Sequence, residues 1–107
     1  MNIVSVTACP SGVAHTYMAA EALEKAAKNK GHNVKVETQG SIGIENDITP
    51  DEVYEADIVI LTKDMGIKNK ERFTGKPTMK VNISDIVKRS DAIILKAEEA
   101  LAQKNKA

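Results

Sequence analysis

The chain has 107 residues, 42% of them hydrophobic, and its 15 basic and 15 acidic residues cancel. That length suffices for one compact domain with a real core, and the interspersed charge excludes a general attraction to nucleic acid or an anionic membrane. The single cysteine excludes an internal disulfide, and neither a leader-like segment after Met1 nor a membrane-length apolar run occurs, so a cytoplasmic protein folding as one domain over 1–107 is expected.

Asn2 to Val6 is a short β-rich run, and from about Val13 to Lys30 the spacing turns helical. Ala20, Leu23 and Ala27, flanked by Ala19, Ala22 and Ala26, give this helix a small-residue face suited to close packing on a sheet; Glu21 with Lys25 and Glu24 with Lys28 decorate its other side. Gly31 is the expected stop. Asn33 to Thr38 alternates, with Val34 and Val36 on one side, as an edge strand would. Gln39 to Asp47 reads as a surface loop. Thr49-Pro50-Asp51-Glu52 combines an N-cap residue, a proline at the first helical position and a capping-box glutamate, opening a short helix to about Ala56.

Ile58-Val59-Ile60-Leu61 is continuously apolar, the pattern of a central strand covered on both faces. Lys63 to Lys76 reads as a second long loop, and Pro77 to Val81 as a strand whose opening proline, lacking an amide donor, favours the sheet edge. Two helices end the chain, Ser84 to Lys88 and about Ser90 to Gln103, the second with Ile94, Ala97 and Leu101 on one face. This alternation predicts an α/β fold: a four-stranded parallel open sheet in the order 2-1-3-4, with right-handed crossovers and helices on both faces, a three-layer arrangement of the Rossmann-like or flavodoxin-like kind. Ligands of such sheets bind beyond the carboxyl ends of the strands where the order reverses, here between the first and third strands.

Cys9 falls at that point, followed by a Pro10-Ser11-Gly12 turn and a helix. A free cysteine has a pKa of about 8.5, but unpaired N–H groups and the positive dipole end at a helix entrance can bring it to roughly 3.5 to 7.5. The same N–H groups suit the oxygens of a phosphoryl group. Pro10 fixes the chain direction, Gly12 permits close backbone approach, and Ser11 can cap the helix or touch phosphate. A lone intracellular cysteine is more often a small buried hydrophobe, but this context favours a nucleophile. His15, six positions after Cys9, can donate to a phosphate or merely occupy the first helical turn, and its spacing leaves both open. Thr16 reads as a cap and His32, after Gly31, as a solvated turn residue. Neither histidine has further ligand candidates at a persuasive spacing, so no metal site is expected.

The segments TACPSGVAHTYMAAEAL, VETQGSIGIEN and ERFTGKP, in this order between about Ile3 and Val81, resemble the fructose-type IIB component of the bacterial phosphoenolpyruvate-dependent sugar phosphotransferase system. The resemblance implies that Cys9 takes a phosphoryl group from a phosphohistidine on a IIA protein or domain and passes it to fructose or a fructose-like sugar held by a membrane IIC transporter, without metal or organic cofactor. It further implies a phosphate cradle of Pro10, Ser11, Gly12, Val13, Ala14, His15 and Thr16, with Thr38-Gln39-Gly40-Ser41 as support or docking surface. Ser11, Val13 and Tyr17 stand where members commonly carry Thr, Ile and Phe, which are mild changes. Lys63, Lys68, Lys70 and Arg72 make the loop after the third strand more basic than is usual for the family. Those charges read either as a solvated loop or as a docking patch for an acidic IIA or IIC surface.

Two other classes share parts of this plan. Low-molecular-weight cysteine phosphatases carry arginine where this chain has His15, and histidine cannot reproduce the bidentate guanidinium fork, which disfavours hydrolysis. A regulatory phosphoacceptor domain is the other alternative, although the chain contains no output segment. FMN binding is disfavoured, because the first loop is not Ser/Thr-rich and Tyr17, Tyr54 and Phe73 are the chain's aromatic residues.

Overall fold

The computed structural model describes residues 2–8, 13–40, 43–63, 66–68 and 70–105, with backbone alone at 13–15, 40, 70 and 103–105. Five strands, β1 (Asn2–Ala8), β2 (Asn33–Gly40), β3 (Gly43–Glu45), β4 (Ile58–Thr62) and β5 (Thr78–Val81), form one sheet in the order β3-β2-β1-β4-β5. The helices are α1 (Val13–Asn29), α2 (Pro50–Glu55) and α3 (Ile83–Asn105), and a 3₁₀ turn spans Lys70–Phe73.

Four of the strands are parallel and follow the expected order, but the sheet is mixed. β3 runs antiparallel to β2 and pairs Thr38 with Glu45 and Gly40 with Gly43. The expected four-stranded parallel sheet is therefore corrected to five strands, β2 is an inner strand, and part of the presumed loop from Gln39 to Asp47 is a hairpin arm. Every side chain of β3 is exposed, so no apolar alternation marks it in the sequence, and its pairing is carried by main-chain bonds. Gly43 and Asn46 adopt positive φ values of 114° and 57° at its two ends, conformations that glycine and asparagine tolerate.

Alternation along the inner strands divides the core. Ile3, Val36, Ile58 and Ile60 point to one face, under the alanine-rich stripe of α1 and the isoleucines of α3. Val4, Val6, Val59 and Leu61 point to the other, against Ile48, Val53 and Ala56 around α2 and against Phe73 of the 3₁₀ turn. Helices thus cover both faces, and β1 and β4 sit centrally because both of their sides are apolar.

Local signals hold at the helix ends. Gly31, at φ 78°, closes α1: its N–H donates to the Lys28 carbonyl at 3.0 Å, and that of His32 donates to Ala27 at 2.9 Å, the paired bonds of a Schellman stop. Thr49 and Glu52 form the reciprocal capping box of α2. At the C-terminus the expected division into two helices holds: α3 is two helical segments that meet at Arg89, whose backbone dihedrals are not helical. α3 bends at Arg89 (φ −136°, ψ 38°), and Ile86 before the bend and Ile93 and Ile94 after it enter the same core cluster. Both segments therefore pack into one core although the chain turns between them.

Candidate functional site at the carboxyl rim of the sheet

β1 ends at Ala8 and α1 begins at Val13. Cys9, Pro10, Ser11 and Gly12, which join them, lie outside the described residues, as does Ser41; Val13, Ala14 and His15 form the first turn of α1, and their side chains also lie outside. Thr16 is buried at 1% exposure, and its carbonyl accepts a hydrogen bond from the Thr7 hydroxyl at 3.4 Å, tying the end of β1 to the start of α1. Thr16 is therefore part of the packed seam between strand and helix.

On the β4 side, the Thr62 hydroxyl meets the last described peptide groups of β1. It accepts from the Ala8 N–H at 2.9 Å and donates to the Ala8 carbonyl at 3.2 Å. On the β2 side, Gln39 stands opposite Ala8 in the β1–β2 ladder. Its side-chain amide grips the main chain of Lys68: Nε2 donates to the Lys68 carbonyl at 3.0 Å, and Oε1 accepts from the Lys68 N–H at 2.9 Å. Lys68 follows β4 in the chain, yet it is held by Gln39 of β2, on the far side of β1 in the sheet order. Residues from three strands thus surround the point where the chain leaves β1.

Behind Gln39 lies a buried ionic cluster that sequence reasoning missed. The Glu37 carboxylate, fully buried, accepts from Arg72 at 2.6 Å, from the Ile48 N–H at 2.9 Å and from Gln39 at 2.8 Å. Burial alone pushes this carboxyl up, but the donated hydrogen bonds, led by that of Arg72, outweigh it and hold the pKa at about 2. Arg72 also donates to Asp47 at 3.2 Å and to the Ile48 carbonyl at 3.0 Å, and its guanidinium lies 4.7 Å from the Phe73 ring centroid. Burial pulls the guanidinium pKa down, but Glu37 and Asp47 outweigh that and raise it. A charge in an alternating strand beside Val36 was the available signal for Glu37, and its partner is distant in sequence.

The basic loop consequently divides. Lys63 and Lys68 are exposed, the Lys70 side chain lies outside the described residues, and Arg72 is turned inward as a structural ion-pair partner. Lys76 is likewise occupied, donating to the carbonyls of Tyr54 at 2.7 Å and Ala56 at 2.9 Å, where a cation complements the carboxyl end of α2. Tyr17 reaches from α1 to β3, donating its hydroxyl to Glu45, and that hydrogen bond raises its pKa above the ordinary value. His32 is not the solvated turn residue expected. Its side chain is 13% exposed, and Nε2 lies 3.4 Å from Glu98 on α3, because the Schellman turn directs it back over the helices.

Among the described residues, no group of three or more His, Cys, Asp and Glu could hold a metal ion, and no helix is long and apolar enough to cross a membrane.

Residues 4–102 match the family model of the lactose/cellobiose-specific IIB subunit of the phosphotransferase system (PTS). The chain is 70% identical over 102 residues to the "PTS system fructose-like EIIB component 2" of Escherichia coli strain K12, covering 95% of this chain and 96% of that protein. It is 47% identical over 95 residues to the "Fructose-like PTS system EIIBC component" of the same strain, of which it spans 20%. Among solved structures, the enzyme IIB subunit of the PTS from Escherichia coli K12 superposes with a TM-score of 0.90 at 38% identity, over 97% of this chain and 96% of that one.

Proposed function

Since the chain belongs to the PTS IIB family, as a fructose-like EIIB component and hence a phosphotransferase, we propose that it carries the phosphoryl group on Cys9. In the first step the Cys9 thiolate attacks the phosphorus of a IIA phosphohistidine. An S–P bond forms as the P–N bond breaks, and the electron pair returns to the imidazole. In the second step a sugar hydroxyl oxygen attacks the same phosphorus; the S–P bond breaks, the thiolate is regenerated, and the hydroxyl proton passes to a base on the membrane partner. Each transfer requires in-line positioning and charge stabilisation. The backbone amides of Ser11 to His15 supply the latter, Pro10 having none; His15 adds a polar group to the cradle, and the buried Thr16 supports it from the seam between β1 and α1.

The observation that carries this reading is the join of β1 at Ala8 to α1 at Val13. The only cysteine of the chain follows the end of a central strand and precedes the N-terminus of a 17-residue helix, the end at which main-chain amides lack intrahelical acceptors and favour an anion. The partners are a phosphorylated IIA protein or domain and a membrane IIC transporter, and the substrate is fructose or a fructose-like sugar; a relative carrying B and C units in one chain supports the IIC pairing. Residues 1–107 act as one IIB domain on the cytoplasmic face, with Lys63 and Lys68 as exposed charges beside the rim.

The test is phosphorylation of the purified chain by a phosphorylated IIA partner, followed by mapping of the label. A label on Cys9 with the acid and base stability of a thiophosphate, absent from Cys9→Ser, is expected. Normal acceptance by Cys9→Ser would overturn the proposal.

A further inference from the structure

We infer that Thr62 is a positioning residue for the reaction, setting the direction in which the chain leaves β1 towards Cys9. The inference rests on the assignment of Cys9 as nucleophile and adds a residue that no motif around the cysteine contains.

In a strand, the N–H and C=O of one residue point to the same side, and both groups of Ala8 face β4. The regular β1–β4 register pairs Ile3 with Ile58 through Val6 with Leu61. Beyond it, the Thr62 hydroxyl takes over as a side-chain continuation of the ladder. One oxygen satisfies both polar groups of Ala8, as acceptor at 2.9 Å and donor at 3.2 Å. A hydroxyl can hold both roles at once, which neither a methyl nor a carboxylate can.

The contact is also rigidly mounted. Thr62 is 2% exposed and Ala8 fully buried, so water does not compete for the bonds. The Thr62 main chain pairs in turn with Val81 of β5, and the next residue continues that ladder, Lys63 N–H donating to the Val81 carbonyl at 2.8 Å. Thr62 is β-branched, which restricts its χ1 in a strand, and the two bonds to Ala8 hold its hydroxyl in one direction. The peptide immediately before the nucleophile is therefore anchored from β4, while Thr7 is anchored to the first turn of α1 through the Thr16 carbonyl. Given the assignment of Cys9, the peptide that Thr62 holds at Ala8 is the one immediately preceding the nucleophile.

Three proteins test this: wild type, Thr62→Val, which keeps the shape and loses the hydroxyl, and Thr62→Ser, which keeps the hydroxyl and loses the methyl. Two readouts are followed, the rate of phosphoryl transfer from a phosphorylated IIA partner and the pH profile of Cys9 alkylation by iodoacetamide. T62V is expected to slow transfer on the order of ten- to a hundredfold and to move the alkylation midpoint to higher pH, since a misaimed sulfur loses amide stabilisation. T62S is expected to retain the wild-type alkylation profile and most of the rate. Should T62V fail to fold, T62S decides alone: wild-type behaviour supports the assignment and a displaced profile overturns it. Wild-type rates and profile in a folded T62V, or equal losses in T62V and T62S, would also overturn it. Absence of label from Cys9 in the wild type would instead remove the underlying assignment of the nucleophile.

Discussion

The Arg72 guanidinium lies 2.6 Å from the fully buried Glu37 carboxylate, pinning the 3₁₀ turn after β4 to the inner face of β2. Removing one partner leaves the other charge uncompensated. Arg72→Ala is expected to destabilise the fold by about 3 to 5 kcal/mol, measured by urea denaturation. A double Glu37→Leu, Arg72→Met variant should recover only part of that loss, because the Ile48 amide would still lack its acceptor.

The same carboxylate makes stability depend on acid. Its folded pKa of about 2 lies below the ordinary 4.5, so its contribution is fully present above about pH 4.5 and disappears as pH falls through 2. The linked loss amounts to about 3 kcal/mol across that window. Equilibrium unfolding from pH 6 down to pH 2, in steps of about one unit chosen to span this interval, should show the loss in the wild type. Glu37→Gln, although less stable at neutrality, should show a shallower slope in the same range.

Gln39 substitutes its side-chain amide for a strand partner at Lys68. Gln39→Leu is expected to cost about 1 to 3 kcal/mol. Amide exchange at Lys68 should accelerate at least about tenfold, while that of β4 stays near wild type. Uniform acceleration through the sheet would contradict a local clamp.

Ser5, fully buried in the middle of β1, has a hydroxyl with no hydrogen-bond partner among the described residues. Ser5→Ala removes that hydroxyl with little change of volume and should stabilise the protein by about 1 kcal/mol, seen as a raised urea midpoint with an unchanged slope. A destabilised variant would reveal a partner for the hydroxyl.

Groups whose partners lie within a few residues were legible in the sequence. Thr49 and Glu52 close their capping box three residues apart, Gly31 stops α1 where the helical spacing ends, and the apolar run from Ile58 to Leu61 marks a central strand because burial on both faces demands it. Those signals sufficed for the βα alternation and the relative order of the four parallel strands.

The tertiary structure alone decided what depends on partners far along the chain. β3 has no buried face and exists through backbone pairing with β2, so no periodicity betrays it. Arg72 reads as one more charge in a basic loop until Glu37, 35 positions earlier, is brought beneath it, and Thr62 reads as a strand end until Ala8, 54 positions away, lies across from its hydroxyl. A local pattern records which face of an element is apolar; the direction of a single hydrogen bond between separate elements is fixed only when the sheet closes and excludes water.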